Sequence, residues 1–152
     1  MYLLKNKFIF LLIVCFFSQT SLGVSQEKFL SLKKNKVNVR YGPSFEFPVK
    51  YIYKKINLPI KEIDKKENFR RIIDHKKNSG WIHVSQLKKI DSAIVTVDKI
   101  LFSRPSVFSE PIAVIKKNRL LVVLKCEVDW CKVETDGFKG WVDKVNLWGN
   151  LN

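Results

Sequence analysis

The sequence is poor in the residues that active-site chemistry requires. It has two histidines and three cysteines. His75 lies between Asp74 and Lys76 in a polar stretch, and His83 ends the apolar run that starts at Trp81. Neither has a nucleophile or second base beside it, so each reads as an ordinary surface residue and not a general base. Acids number fourteen against twenty-eight Lys and Arg, and they are scattered. The six glycines form no glycine-rich phosphate loop. There is no Cys-x-x-Cys pair, and both histidines lie far from the cysteines, so a zinc site is not expected. The expectation is no enzyme, no cofactor and no metal. Helical periodicity is missing as well: after residue 23 nothing sustains ten residues of a 3.6 repeat.

What is present begins with residues 1–23. Lys5 and Lys7 precede an unbroken apolar run, Phe8 to Phe17, and the small and polar Ser18 to Gly23 follow. That is the pattern of a secretory signal peptide, with cleavage expected before Val24. The run is shorter than the ~20 apolar residues that cross a bilayer. Cys15 follows Val14 inside the run, where a lipid-modified cysteine follows a small residue. The chain is therefore expected to be exported, to a periplasmic or extracellular setting. Cys126 and Cys131 then remain, flanking Glu127-Val128-Asp129-Trp130. In an oxidising compartment a pair that brackets a tight turn reads as a cross-hairpin disulfide.

The chain also repeats itself. Gly80-Trp81-Ile82 returns as Gly140-Trp141-Val142, sixty positions on. Pro43-Ser44 returns as Pro105-Ser106 and Lys54-Lys55-x-x-Leu58 as Lys116-Lys117-x-x-Leu120, at sixty-two; Phe69 matches Trp130 at sixty-one. A unit of this length is too long for a solenoid repeat and suits a very small domain. The expected division is 1–23 signal peptide, 28–89 first domain and 91–150 second domain. The junction Lys88-Lys89-Ile90-Asp91 has no Gly, Pro or Ser run, which predicts a fixed arrangement of the two.

Each unit reads as all-β. Val37 and Val39 alternate with polar neighbours, as do Val49, Tyr51 and Tyr53. Further strands are expected at Ile60–Ile63, Phe69–Ile73 and Trp81–His83, with a polar turn over Asp64–Asn68. In the second unit the expectation is a lead-in strand at Ile94–Val97, then Ile112–Ile115, Leu120–Cys126, Trp130–Thr135 and Gly140–Val142. Asp136-Gly137 is a hairpin turn signal. Short strands with turns every eight to twelve residues predict small β-barrels.

Charge is divided unequally. Without residues 1–23 the balance is +12. Residues 24–90 carry fourteen Lys and three Arg against six acids, or +11; residues 91–152 carry seven Lys and two Arg against eight acids, or +1. A compositional bias toward Lys would charge both halves alike. The first half is the one suited to a polyanion, such as lipid phosphates or wall carboxylates. Nucleic acid is not expected, because export removes the chain from it and no recognition motif is present.

Asn38-Val39-Arg40-Tyr41-Gly42-Pro43-Ser44, the aromatic Phe69, and Gly80-Trp81-Ile82 followed by Leu87 resemble the bacterial Src-homology-3-like domain. The resemblance covers Lys36–Leu87 well and Asp98–Trp148 less well, since Phe102 and Arg104 stand where the first unit has Arg40 and Gly42. It implies two tandem Src-homology-3-like barrels and a binding fold. It also implies that Phe69, Trp81, Trp130 and Trp141 are mainly packing residues. Cell-wall-binding modules belong to that family. Arg40, Tyr41, Phe45, Phe47, Tyr51 and Tyr53, with Lys50 and Lys54 nearby, are the candidate groove residues for an anionic, partly apolar chain. The expected function is a non-catalytic exported module that docks on an anionic envelope component, peptidoglycan or a membrane surface. The alternative is an adaptor for an exported protein partner.

Overall fold

The computed structural model describes residues 27–149, so the expected signal peptide lies outside them. The first unit runs through β1 (Lys28–Leu32), β2 (Val37–Arg40), β3 (Val49–Tyr53), β4 (Pro59–Lys66), β5 (Phe69–Ile73) and β6 (Ser79–His83). One turn of 3-10 helix, Val84–Gln86, then leads to β7 (Leu87–Lys89). The second unit runs through β8 (Ser92–Val95), β9 (Lys99–Phe102), β10 (Pro111–Ile115), β11 (Leu120–Cys126), β12 (Trp130–Thr135), β13 (Phe138–Asp143) and β14 (Leu147–Trp148). The described residues contain no α-helix. The strands form two seven-stranded sheets, ordered β3-β2-β6-β5-β4-β1-β7 and β10-β9-β13-β12-β11-β8-β14. Adding seven to each number of the first order gives the second, so the repeat in sequence is a repeat in topology.

Strand alternation builds each core. Val37 and Val39 are fully buried and pack with Leu32, Ile60, Ile72 and Ile82. In the second unit Val95, Leu101, Leu121, Cys131, Val133 and Val142 do the same. Residues of opposite parity on β5 and β6 point outward, which puts Phe69 and Arg71 beside His83 and Trp81 on the outer face. Turn chemistry repeats as well. Asn57 and Asn118 hold φ of 60° and 67°, a conformation Asn tolerates. Their N–H groups donate to the carbonyls of Leu32 and Val95 at 3.0 and 2.7 Å. Asp136 and Gly137 both take positive φ, the two-residue hairpin that their sequence signals.

The two units are packed together. The hydroxyls of Ser31 and Ser92 are hydrogen-bonded at 2.8 Å in buried surroundings. Phe29 meets Trp148 edge-on at 5.0 Å. Ile94, Leu120 and Trp148 of the second unit join the first unit's core.

Four strands, β1, β7, β9 and β14, are not expected from the sequence, and two boundaries differ. The lead-in strand of the second unit is Ser92–Val95, not Ile94–Val97: Ser92 is buried against Ser31, and Thr96 already turns away, its N–H bonded to the carbonyl of Asn146. β4 continues to Lys66, leaving only Glu67-Asn68 as the turn. The reason is a bulge between Glu62 and Asp64, beyond which the strand is exposed and tolerates polar residues on both faces. β12 runs over Trp130–Thr135 as expected, and the hairpin connection is Glu127–Asp129.

Candidate functional site

A row of side chains crosses the outer face of the first barrel. Arg40 of β2 stands opposite Trp81 of β6, Trp81 opposite Arg71 of β5, and Arg71 opposite Asp64 of β4. Tyr41 and Lys50 flank the row, and together with Ser79 and Gly80 they enclose a cleft of about 320 Å³. Lys50 donates its ammonium to the Ser79 carbonyl at 3.0 Å and stands 5.6 Å from the centre of the Tyr41 ring. Arg71 is exposed and makes no ion pair among the described residues. No acid lines the cleft; Asp64 turns its carboxylate to the N–H of Lys65.

Two other depressions are larger and less suited to an anion. One of about 540 Å³ beside β1 and β4 is lined by acids as well as lysines, with Lys28 paired to Glu62 at 2.9 Å and Lys61 to Glu27. The other, about 430 Å³, lies between the barrels, and its Arg119 is paired with Asp136 at 3.1 Å.

The structure divides the six candidate groove residues among four places. Arg40 and Tyr41 line the cleft. The head group of Arg40 is already engaged, donating to the carbonyls of Phe45 and Phe47 at 3.2 and 2.7 Å, so it clamps the β2–β3 loop. Phe45 forms a separate aromatic cluster, 5.2 Å from Phe69 and 5.0 Å from His83 between ring centres. Phe47 packs beneath Gly42, where a Cβ would lie 2.5 Å from its ring. Tyr51 and Tyr53 face the core side of β3 and meet edge-on at 5.2 Å. Lys54 is exposed and outside the cleft.

Tyr53 donates to the Asp74 carboxylate at 2.9 Å, and burial together with that bond pushes its hydroxyl pKa up. Burial likewise raises Tyr51. Burial would raise Asp74 too, yet the bonds from Asn78, Tyr53 and the Lys76 N–H hold its carboxyl below the usual range. This network orders the β5–β6 turn. Sequence reading missed Asp74, whose only sign was an Asx-turn pattern toward Lys76 and Asn78. It also assigned Trp81 to packing, whereas the side chain is half-buried and forms a cleft wall. The missing signal for Arg71 was its parity with Phe69 on a strand with one face outward.

A family model for the bacterial SH3 domain matches residues 33–89 and 98–149, one match on each seven-stranded sheet. The chain belongs to the bacterial SH3 domain family. Three solved structures share a weak likeness with it. NlpC2 and NlpC1 from Trichomonas vaginalis are each 14% identical with TM-scores of 0.38; the alignments cover 82% and 86% of this chain and 48% of each of those. An NlpC/P60 family protein from Bacillus cereus ATCC 10987 is 13% identical, TM-score 0.38, covering 79% of this chain and 55% of that one. The chain thus spans about half the length of those proteins. No curated protein matches it in sequence.

The second bacterial SH3 domain supplies an internal comparison. Its equivalent row is Phe102, Trp141, Lys132 and Lys125. Phe102 replaces the clamping arginine and packs edge-on against Trp130 at 5.8 Å. Lys125 lies over the Trp141 ring at 4.8 Å, and Trp141 is buried where Trp81 is half-open. The Cys126–Cys131 disulfide joins register partners of β11 and β12, with Cα atoms 4.1 Å apart. Among the described residues no group of three or more His, Cys, Asp and Glu could hold a metal ion, and no helix is long and apolar enough to cross a membrane.

Proposed function

We propose that the protein is a non-catalytic exported binding module whose first domain docks on an anionic component of the cell envelope, such as peptidoglycan, while the second acts as its rigid support. The observation that carries this reading is the cleft at Trp81: Arg71 and Lys50 border it, no acid does, and Tyr41 and Trp81 supply flat apolar walls. A carboxylate attached to a sugar or aliphatic body fits that chemistry, the charge meeting Arg71 in a bidentate pair and the body lying on the rings. The concentration of charge in the first half, +11 against +1, adds a field that draws such a ligand in. Cell-wall binding is also what membership of the family suggests.

Binding to purified sacculi tests the proposal. Arg71→Glu with Lys50→Glu should weaken binding about tenfold or more, and binding should weaken further as salt is raised. Lys132→Glu, the matching change on the second domain, should have little effect. Equal loss from both changes, or binding indifferent to salt, would overturn it.

The adaptor reading has its own support in the packing of the two domains, which fixes one composite surface around the inter-domain depression. Crosslinking in the native envelope separates the two. A single stoichiometric protein partner favours the adaptor; wall fragments alone favour docking.

A further inference from the structure

The second domain carries an open sheet edge of unusual composition. β10 is the outermost strand of its sheet and, among the described residues, pairs only with β9. Its residues, Pro111-Ile112-Ala113-Val114-Ile115, include no charge. Ile112 and Val114 are exposed, Val114 at 63%, and Ile100, the register partner of Val114, is exposed beside it. An edge strand presents unpaired N–H and C=O groups, and proteins normally protect such an edge with lysine or another charge. The equivalent edge, β3, has Lys50 in the strand and Lys54 and Lys55 just after it. β10 keeps the lysine pair just after it, Lys116-Lys117, but has Pro111 at its start and no counterpart of Lys50 within the strand.

An apolar strand with unpaired backbone groups is satisfied by another strand. A bilayer would cover the side chains and leave the backbone groups without partners. We propose that a second copy of this chain pairs with β10, antiparallel, about a twofold axis at Ala113. That register places Ile112 of each copy opposite Val114 of the other. It also places Glu110 opposite Lys116 at both ends, so the pairing is complementary in charge as well as apolar in the middle. Both end residues are exposed; Glu110 makes no ion pair among the described residues, and Lys116 is held only in a surface pair with Asp98 at 2.8 Å. The contact is isologous, as most homodimer contacts are. The same operation on β3 would bring together two halves of charge +11 with no acid opposite Lys54 or Lys55, whereas the half that carries β10 is nearly neutral at +1. The proposal concerns a face of the second domain and stands apart from the cleft on the first.

Sedimentation equilibrium on the purified protein provides the test. The wild type should be dimeric at roughly 100 μM, where a micromolar dimer is saturated. Val114→Lys should raise the dissociation constant at least about tenfold, in line with a central interface position. Glu110→Lys should weaken the dimer, and Glu110→Lys combined with Lys116→Glu should restore it. Val114 and Glu110 are exposed, and Glu110 makes no ion pair among the described residues. Thermal unfolding of those two variants should therefore be unchanged and serves as the folding control. Lys116→Glu also breaks the surface pair with Asp98, so the double change is read against Lys116→Glu alone. A monomeric wild type overturns the proposal. So does a dimer that Val114→Lys leaves intact, because the contact then lies elsewhere.

Discussion

His75 of the first domain lies against Trp148 of the second, their ring centres 6.0 Å apart. Among the described residues neither ring nitrogen of His75 has a hydrogen-bond partner. Burial lowers its pKa first of all, Asp74 pulls it back up, and Lys76 and Lys55 lower it further. A base whose pKa is lower folded than unfolded takes up its proton more readily when unfolded. Stability is then full above the unfolded value, near 6.5, and falls as pH drops through the window down to the folded value. We predict that the protein loses stability between pH 7 and pH 5 and that His75→Phe removes most of that loss. Chemical denaturation of both proteins across this range checks it; parallel pH profiles would refute it.

The two Gly-Trp pairs have a steric explanation, and it is testable. A Cβ on Gly80 would lie 2.4 Å from Val39 Cγ1 and 3.0 Å from the Arg40 carbonyl. On Gly140 it would lie 2.7 Å from both Leu101 Cγ and the Phe102 carbonyl. Gly80→Ala and Gly140→Ala should each destabilise by roughly 1–3 kcal/mol, the usual cost of overpacking. Gly137→Ala meets no atom within 4 Å and is penalised only through its φ of 84°, by about 1 kcal/mol. Urea titration should rank the three in that order.

Much of this fold is legible because both repeats use side chains whose requirement is local. The Gly-Trp pair, the Asp136-Gly137 hairpin and the Val37/Val39 alternation each announce themselves within a few residues. β1, β7, β9 and β14 do not, because they are two to five residues long and their partners lie well along the chain, such as Leu30 with Ile60 and Lys89. The site was half legible. Arg40 and Tyr41 stood in the motif that marks the first loop, but composition alone could not separate aromatic rings that wall a cleft from rings that pack on each other. Trp81 and Trp141 both follow glycine and precede a β-branched residue, yet Lys125, arriving from another strand, lies over the Trp141 ring alone.

The inter-domain contact predicts non-additive mutations. The hydroxyls of Ser31 and Ser92 are each other's buried partners at 2.8 Å, and Ser31 also accepts from the Asp91 N–H at 3.3 Å. Ser92→Ala should cost about 1–3 kcal/mol by leaving Ser31 short of a partner. The double change to Ala should cost less than the two single changes added together, because the second removes the group the first stranded. A double-mutant cycle on thermal stability measures the coupling. Strict additivity would mean the two hydroxyls do not rely on each other.

The disulfide yields the sharpest comparison between the domains. Cys126 faces Cys131 in the second, and the register places Lys65 opposite Arg70 at the same point of the first. The first domain therefore reaches the same architecture with no bridge there. Replacing both cysteines by serine should cost about 2 kcal/mol, the chain-entropy value for so short a loop, and leave the fold intact. Reductant should lower the unfolding temperature of the wild type and leave the serine variant unaffected. The converse follows from the shared register. Lys65→Cys with Arg70→Cys should form a second bridge, because cross-strand partners of this kind hold their Cβ atoms within disulfide reach. Intact mass with and without reductant, after alkylation, reads both results. Free thiols in the unreduced double-cysteine variant would show that the two hairpins differ in geometry despite sharing a register.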